Sequence, residues 1–166
     1  MSQSTVAQTM VGIAFYNQPN LQHPRWALVL HRKHYDSKHV RVYQICKNTD
    51  DNDEWFTDHK KCYLEDLGDL IGIVHLTVSP YRIDRLDGLL QDQPAGKAGD
   101  NPGQVFAWSP SAWVIRAIIK MHEAGFAIVP GQFRRRNVWG VAVELCSVLR
   151  EKSASQKMPI VCWPSA

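Results

Sequence analysis

A chain of 166 residues fits one domain, 1–166, and is long enough to bury a core without disulfide staples. Apolar residues make up 45% and charged residues 21%, a globular mixture rather than a disordered one. Its 19 basic and 16 acidic residues leave a formal charge of +3, too weak to point to nucleic acid. No run approaches the roughly 20 apolar residues of a membrane helix.

The opening MSQSTVAQTMVGIAFYNQ has no basic n-region, and Val11–Tyr16 is too short for the apolar core of a signal peptide. The expectation is an intracellular, cytoplasmic protein without membrane contact. Residues 1–9 are polar and read as frayed. Val11–Tyr16 reads as a first strand. Trp26–Arg32 and Val40–Lys47 read as an antiparallel pair across the polar turn Lys33–His39, followed by an Asn-rich turn at Asn48–Asp53. Trp55–Tyr63 alternates weakly, as a further strand would. Leu70–Val78 is the most β-branched run and suits the centre of a sheet.

Two segments then begin with Ser-Pro. Ser79-Pro80 leads Tyr81–Leu90, and Ser109-Pro110 leads Ser111–Ala124; both carry apolar residues at helical spacing. Serine caps first-turn amides, proline at N1 loses no hydrogen bond, and Gly125 supplies a left-handed terminator for the second helix. Between them, Gln93–Gln104 is a Gly/Pro-rich segment read as a flexible loop. A short strand is expected at Phe126–Val129, a helix at Val138–Glu151 with Val141, Ala142, Leu145, Val148 and Leu149 as its stripe, and a terminal strand at Ile160–Cys162. Strands first and helices later predict an α+β fold, an antiparallel sheet packed with two to three helices.

Cys46, Cys62, Cys146 and Cys162 form no C-x-x-C, so reduced and mostly buried thiols are expected, with no metal and no cofactor. The segment His31–His39 holds three histidines and Asp36, but Arg32, Lys33 and Lys38 oppose a cation there. If residue 31 faces residue 39 across the hairpin, both rings share one face; a one-residue slip separates them. His23, His31 and His39 are the candidate acid–base groups. Ser111 begins a helix, yet lacks a G-x-S-x-G elbow, and capping accounts for Ser109. Arg134, Arg135 and Arg136 stand just before the last helix, where they can clamp an anion or fan into solvent. Trp26 and Trp113 begin regular elements and suit the core; Trp108 is a candidate cleft aromatic.

The run Trp26-Ala-Leu-Val-Leu30, then His39-Val-Arg-Val, then Trp55, then Trp108-Ser-Pro-Ser-Ala-Trp113 resembles a family of small fungal proteins. Those proteins are similar to circularly permuted papain-like (NlpC-type) cysteine hydrolases and acyltransferases. The resemblance spans residues 11–126 and implies a papain-like layout. It sets Arg25 where a first histidine is expected, His39 at the second polar position, and Pro110 where the cysteine nucleophile would begin the helix. What it implies is a degenerate relative that binds a small molecule or peptide in a relic cleft, with Trp26, Trp108, Trp113 and Arg25 as ligand contacts. Two other readings stand beside it. One is an enzyme for hydrolysis, acyl transfer or secondary metabolism, with a histidine acid–base site; the other is a module that meets an acidic partner through Arg134–Arg136.

Overall fold

The computed structural model describes residues 8–19, 23–47, 54–97, 107–126 and 138–164. Its strands are β1 (Thr9–Tyr16), β2 (Arg25–His31), β3 (Arg41–Tyr43), β4 (Ile45–Lys47), β5 (Trp55–Thr57), β6 (Lys60–Lys61), β7 (Leu70–Ser79) and β8 (Ile160–Cys162). Its helices are α1 (Ile83–Gln91), α2 (Pro110–Glu123) and α3 (Val138–Ser153), with a single 3-10 turn at Leu64–Leu67. Six strands form one sheet in the order β6-β3-β2-β1-β7-β8, and β4 and β5 form a separate ribbon. All neighbours are antiparallel except β7 and β8, which run parallel. The architecture is therefore α+β, as the order of elements predicts.

Period-two alternation divides the sheet's side chains between two cores. Val11, Ile13 and Phe15 of β1 and Trp26, Leu28 and Leu30 of β2 face the helices. Ala14, Tyr16, Ala27 and Val29 face the other way, where Tyr35 from the β2–β3 turn and Leu64 from the 3-10 turn cover them. Helix α2 packs on β2, and α3 packs on β7 and β8. At Gly72 the approach is so close that a Cβ would lie 2.7 Å from Leu149 Cδ2.

Several elements differ from the sequence reading. Strand β1 begins at Thr9, which is fully buried and whose Oγ1 donates to Tyr81 O at 2.8 Å. The expected Val40–Lys47 strand is split at Gln44, whose side chain turns to Arg25 and Asp58 while the chain leaves the main sheet for the β4–β5 ribbon. Trp55–Tyr63 contributes two short strands, β5 and β6, to different sheets.

The two Ser-Pro pairs do different work. Ser109 caps α2, its Oγ accepting from Ala112 N at 3.2 Å, and Gly125 follows the helix at φ 76°. Ser79 is instead the last residue of β7, and its Oγ donates to Phe126 O. The chain bends at Pro80 and Tyr81, Arg82 is extended, and α1 starts at Ile83 with no side-chain cap.

In α3 the buried stripe is Val138, Ala142, Cys146 and Leu149, spaced by four, four and three, while Val148 is exposed. Of the four thiols only Cys146 is buried; Cys46 and Cys62 are half-buried and Cys162 is exposed, and all are free. Residues Asn48–Asp53 and most of Phe126–Val129 lie outside the described residues. Among those described, no helix is long and apolar enough to cross a membrane.

Candidate ligand cleft

Helix α2 points its N-terminus at the start of β2. The cap is a small hydroxyl relay: Ser111 Oγ lies 2.9 Å from Ser109 Oγ, and Trp113 N donates to Ser109 O at 3.0 Å. Beside this junction is a cavity of about 620 Å³. Ser109, Pro110 and Ser111 form one wall, His23 and Arg25 a second, and Trp139 and Glu144 of α3 a third. A narrower recess of about 210 Å³ shares His23 and Trp139 and runs on to Trp26, Cys146 and Arg150. Together they form a cleft between the start of β2 and the outer side of α3.

Aromatic stacking shapes the floor. The Trp26 ring lies 5.2 Å from both Phe15 and Trp139, and His23 meets Trp139 edge-on at 6.3 Å. Trp26 Nε1 is buried and has no hydrogen-bond partner among the described residues.

Arg25 is held firmly on its sheet side. Its guanidinium lies 4.4 Å over the Tyr16 ring, donates to Leu67 O at 2.9 Å and donates to Gln44 Oε1. Gln44 in turn donates to Asp58 Oδ2 at 3.2 Å, and Cys46 Sγ approaches the same oxygen at 3.7 Å. Burial and the Asp58 carboxylate both push the Cys46 thiol up, and burial does the same to Cys62 and Cys146.

A second feature of α2 braces the cleft from behind. Arg116, 3% exposed, donates to Gly96 O at 2.9 Å, Lys97 O at 3.1 Å and Pro94 O, and stacks 4.5 Å over Trp108. The indoles of Trp108 and Trp113 donate to Ala95 O at 2.9 Å and Pro94 O at 3.0 Å. The described start of the Gly/Pro-rich segment is therefore pinned to α2; residues 98–104 lie outside the described residues.

The structure thus gathers His23, Arg25 and Ser111 around one cavity, with Trp26 beneath it and Trp113 in the core. Trp108 lies behind, with Arg116. His31 and His39 line a different cavity that shares no residue with the cleft. The β2–β3 register pairs Leu30 with Arg41, which on continuation sets His31 opposite Val40 rather than His39. Arg134, Arg135 and Arg136 lie outside the described residues.

Gln44, His59, Arg116 and Glu144 were not singled out by the sequence. Gln44 alone left a trace, as a polar residue interrupting the apolar alternation of Val40–Cys46. The His59 ring packs 5.6 Å from Trp113, and burial lowers its pKa against the opposing pull of Asp58 and Asp87.

Among the described residues no three His, Cys, Asp or Glu side chains converge as a metal site. Compared with family models, curated proteins and solved structures, the chain matches none of them.

Proposed function

We propose that the cleft between the α2 N-terminus, the start of β2 and α3 binds a small molecule or peptide, and that it does so without cysteine chemistry. The observation that carries this reading is the cavity of about 620 Å³ at the helix junction, a size suited to a drug-sized ligand. Stacked aromatic rings offer apolar contact, and His23 and Glu144 offer polar anchors at its walls. In the papain-like layout that the sequence resembles, Pro110 and Arg25 occupy the nucleophile and first-histidine positions. Proline has no nucleophile, and a guanidinium is a donor with no acceptor atom, so neither position supplies the family's chemistry. Ser111 Oγ is engaged with Ser109 Oγ rather than with an imidazole.

The test is a titration of tryptophan fluorescence with 8-anilinonaphthalene-1-sulfonate, an apolar dye suited to an aromatic-lined cleft. Saturable quenching of Trp139 and Trp26 is expected. Val143, 54% exposed and part of the cavity wall, is a site where bulk can be added without disturbing the core. Val143→Trp should abolish binding while far-ultraviolet circular dichroism stays unchanged. Equal binding by both proteins would sink the assignment.

A further inference from the structure

The turn after β2 and the strands around it concentrate positive groups at a second cavity. His31, Arg32, His39, Arg41 and Lys61 line about 250 Å³, with Ile83 as an apolar wall. Among the described residues, no carboxylate lines it. Asp84 and Asp87 hold Arg41 at 2.9 and 3.5 Å, which fixes that guanidinium and neutralises part of its charge. Arg32 and Lys61 add cationic groups to the same small space, and His31 and His39 add ring nitrogens. Burial, then His34, His39, Arg32 and Lys33, lower the His31 pKa below the ordinary imidazole value of 6.5.

The His31 ring is also fixed chemically. Its Nδ1 accepts from Lys33 N at 3.1 Å and from His34 N at 3.0 Å. A nitrogen that accepts cannot carry the proton, so the neutral ring bears its hydrogen on Nε2. His31 is thereby a neutral N–H donor whose tautomer is set by the turn.

An adjoining hollow of about 310 Å³ shares Arg41 and Lys61 and is also lined by Tyr43, His59, Asp87 and Gln91. His59 repeats the pattern: Nδ1 accepts from Gln44 N at 3.3 Å, and Nε2 has no partner among the described residues. One lobe therefore offers cations and N–H donors, and the other adds the oxygen acceptors of Asp87 and Gln91.

We propose that these two lobes together bind a small phosphate monoester with a hydroxylated body. The phosphate lies among His31, Arg32, His39 and Lys61, and the hydroxyls face Asp87 and Gln91. A monoester dianion satisfies several donors at once and offsets the positive charge among them. A polyanion would call for an extended basic stripe rather than two joined hollows.

Calorimetric titration of the full chain with glucose 6-phosphate tests this, with glucose, inorganic phosphate and a ten-residue oligothymidylate as comparison ligands. Glucose 6-phosphate should saturate and bind more tightly than inorganic phosphate, and glucose should not bind. His31→Ala and Lys61→Gln should each weaken the monoester about tenfold, the loss of one charge-assisted contact. Lys61 is exposed on the edge strand β6, so its variant keeps the test valid should His31→Ala fail to fold. The His31 imidazole, followed by nitrogen NMR, should titrate at higher pH with the monoester bound. Absence of saturation, equal affinity in both variants, inorganic phosphate matching the monoester, or tighter binding of the oligonucleotide would each overturn the proposal.

Discussion

Tyr35 and His75, forty positions apart, share a 2.8 Å hydrogen bond between the phenol oxygen and Nδ1. It anchors the β2–β3 turn to the middle of β7, with the Tyr35 ring in the second core. Burial pushes the phenol pKa up and the imidazole pKa down. Tyr35→Phe should destabilise the fold by about 1–2 kcal/mol, read from the urea midpoint, because the His75 nitrogen loses its partner.

His75, His31 and His59 all have folded pKa values below the ordinary 6.5. Unfolded imidazoles then bind protons that the folded ones refuse, so the slope of stability with pH is positive below about 6.5. Their contribution is fully present above that pH and falls away as acid is added toward the lowered folded values. Thermal midpoints measured from pH 8 to pH 5 should be flat at first and then fall. A midpoint that rises on acidification would contradict the assignment.

Arg116 joins α2 to three carbonyls of the Pro94–Lys97 segment. Arg116→Leu should cost about 2–4 kcal/mol, since the carbonyls lose charge-assisted donors and the Trp108 face is stripped of its cation. Limited proteolysis should then cut near Lys97 faster than in the parent.

The two Ser-Pro pairs separate by substitution. Ser109→Ala should destabilise by about 1 kcal/mol through the lost cap. Arg82→Ser should stabilise by about 0.5–1 kcal/mol, because α1 begins on an extended residue with no capping side chain. Denaturant midpoints moving in the same direction for both would contradict the observed caps.

Gly72→Ala would drive a methyl to 2.7 Å from Leu149 and 2.8 Å from Pro159 O. Either α3 or the entry to β8 must shift, at about 1–3 kcal/mol, with a lowered thermal midpoint as the readout.

Thiol chemistry gives a final check. Cys162 is exposed, whereas burial raises the pKa of Cys46, Cys62 and Cys146. Timed labelling with iodoacetamide, located by peptide mass, should modify Cys162 first and Cys146 last. Rapid selective labelling of Cys146 would mark it as an activated thiol.

The legible parts of the fold were those in which sequence pattern and burial coincide. β1, β2 and β7 are apolar runs buried on both faces, α2 carries apolar residues at helical spacing, and together they fill the two cores. Ser79-Pro80 was misread because the same dipeptide serves a strand exit as well as a helix start; only the Phe126 carbonyl decides between them. Gln44, His59 and Arg116 were hidden because their roles arise from partners far along the chain. Conversely, His31 and His39, eight positions apart across the β2–β3 turn, do share a cavity, though not the cleft formed around Arg25 and Ser111.

The parallel pairing of β8 with Ile73, Val74 and His75 has a consequence for assembly. Until residues 160–162 dock, one flank of the most apolar strand presents bare amides and carbonyls to any passing chain. The three residues of β8 thus act as a guard on the sheet. Chains cut before Ile160 should associate edge to edge, read as a larger species by light scattering than the uncut chain gives.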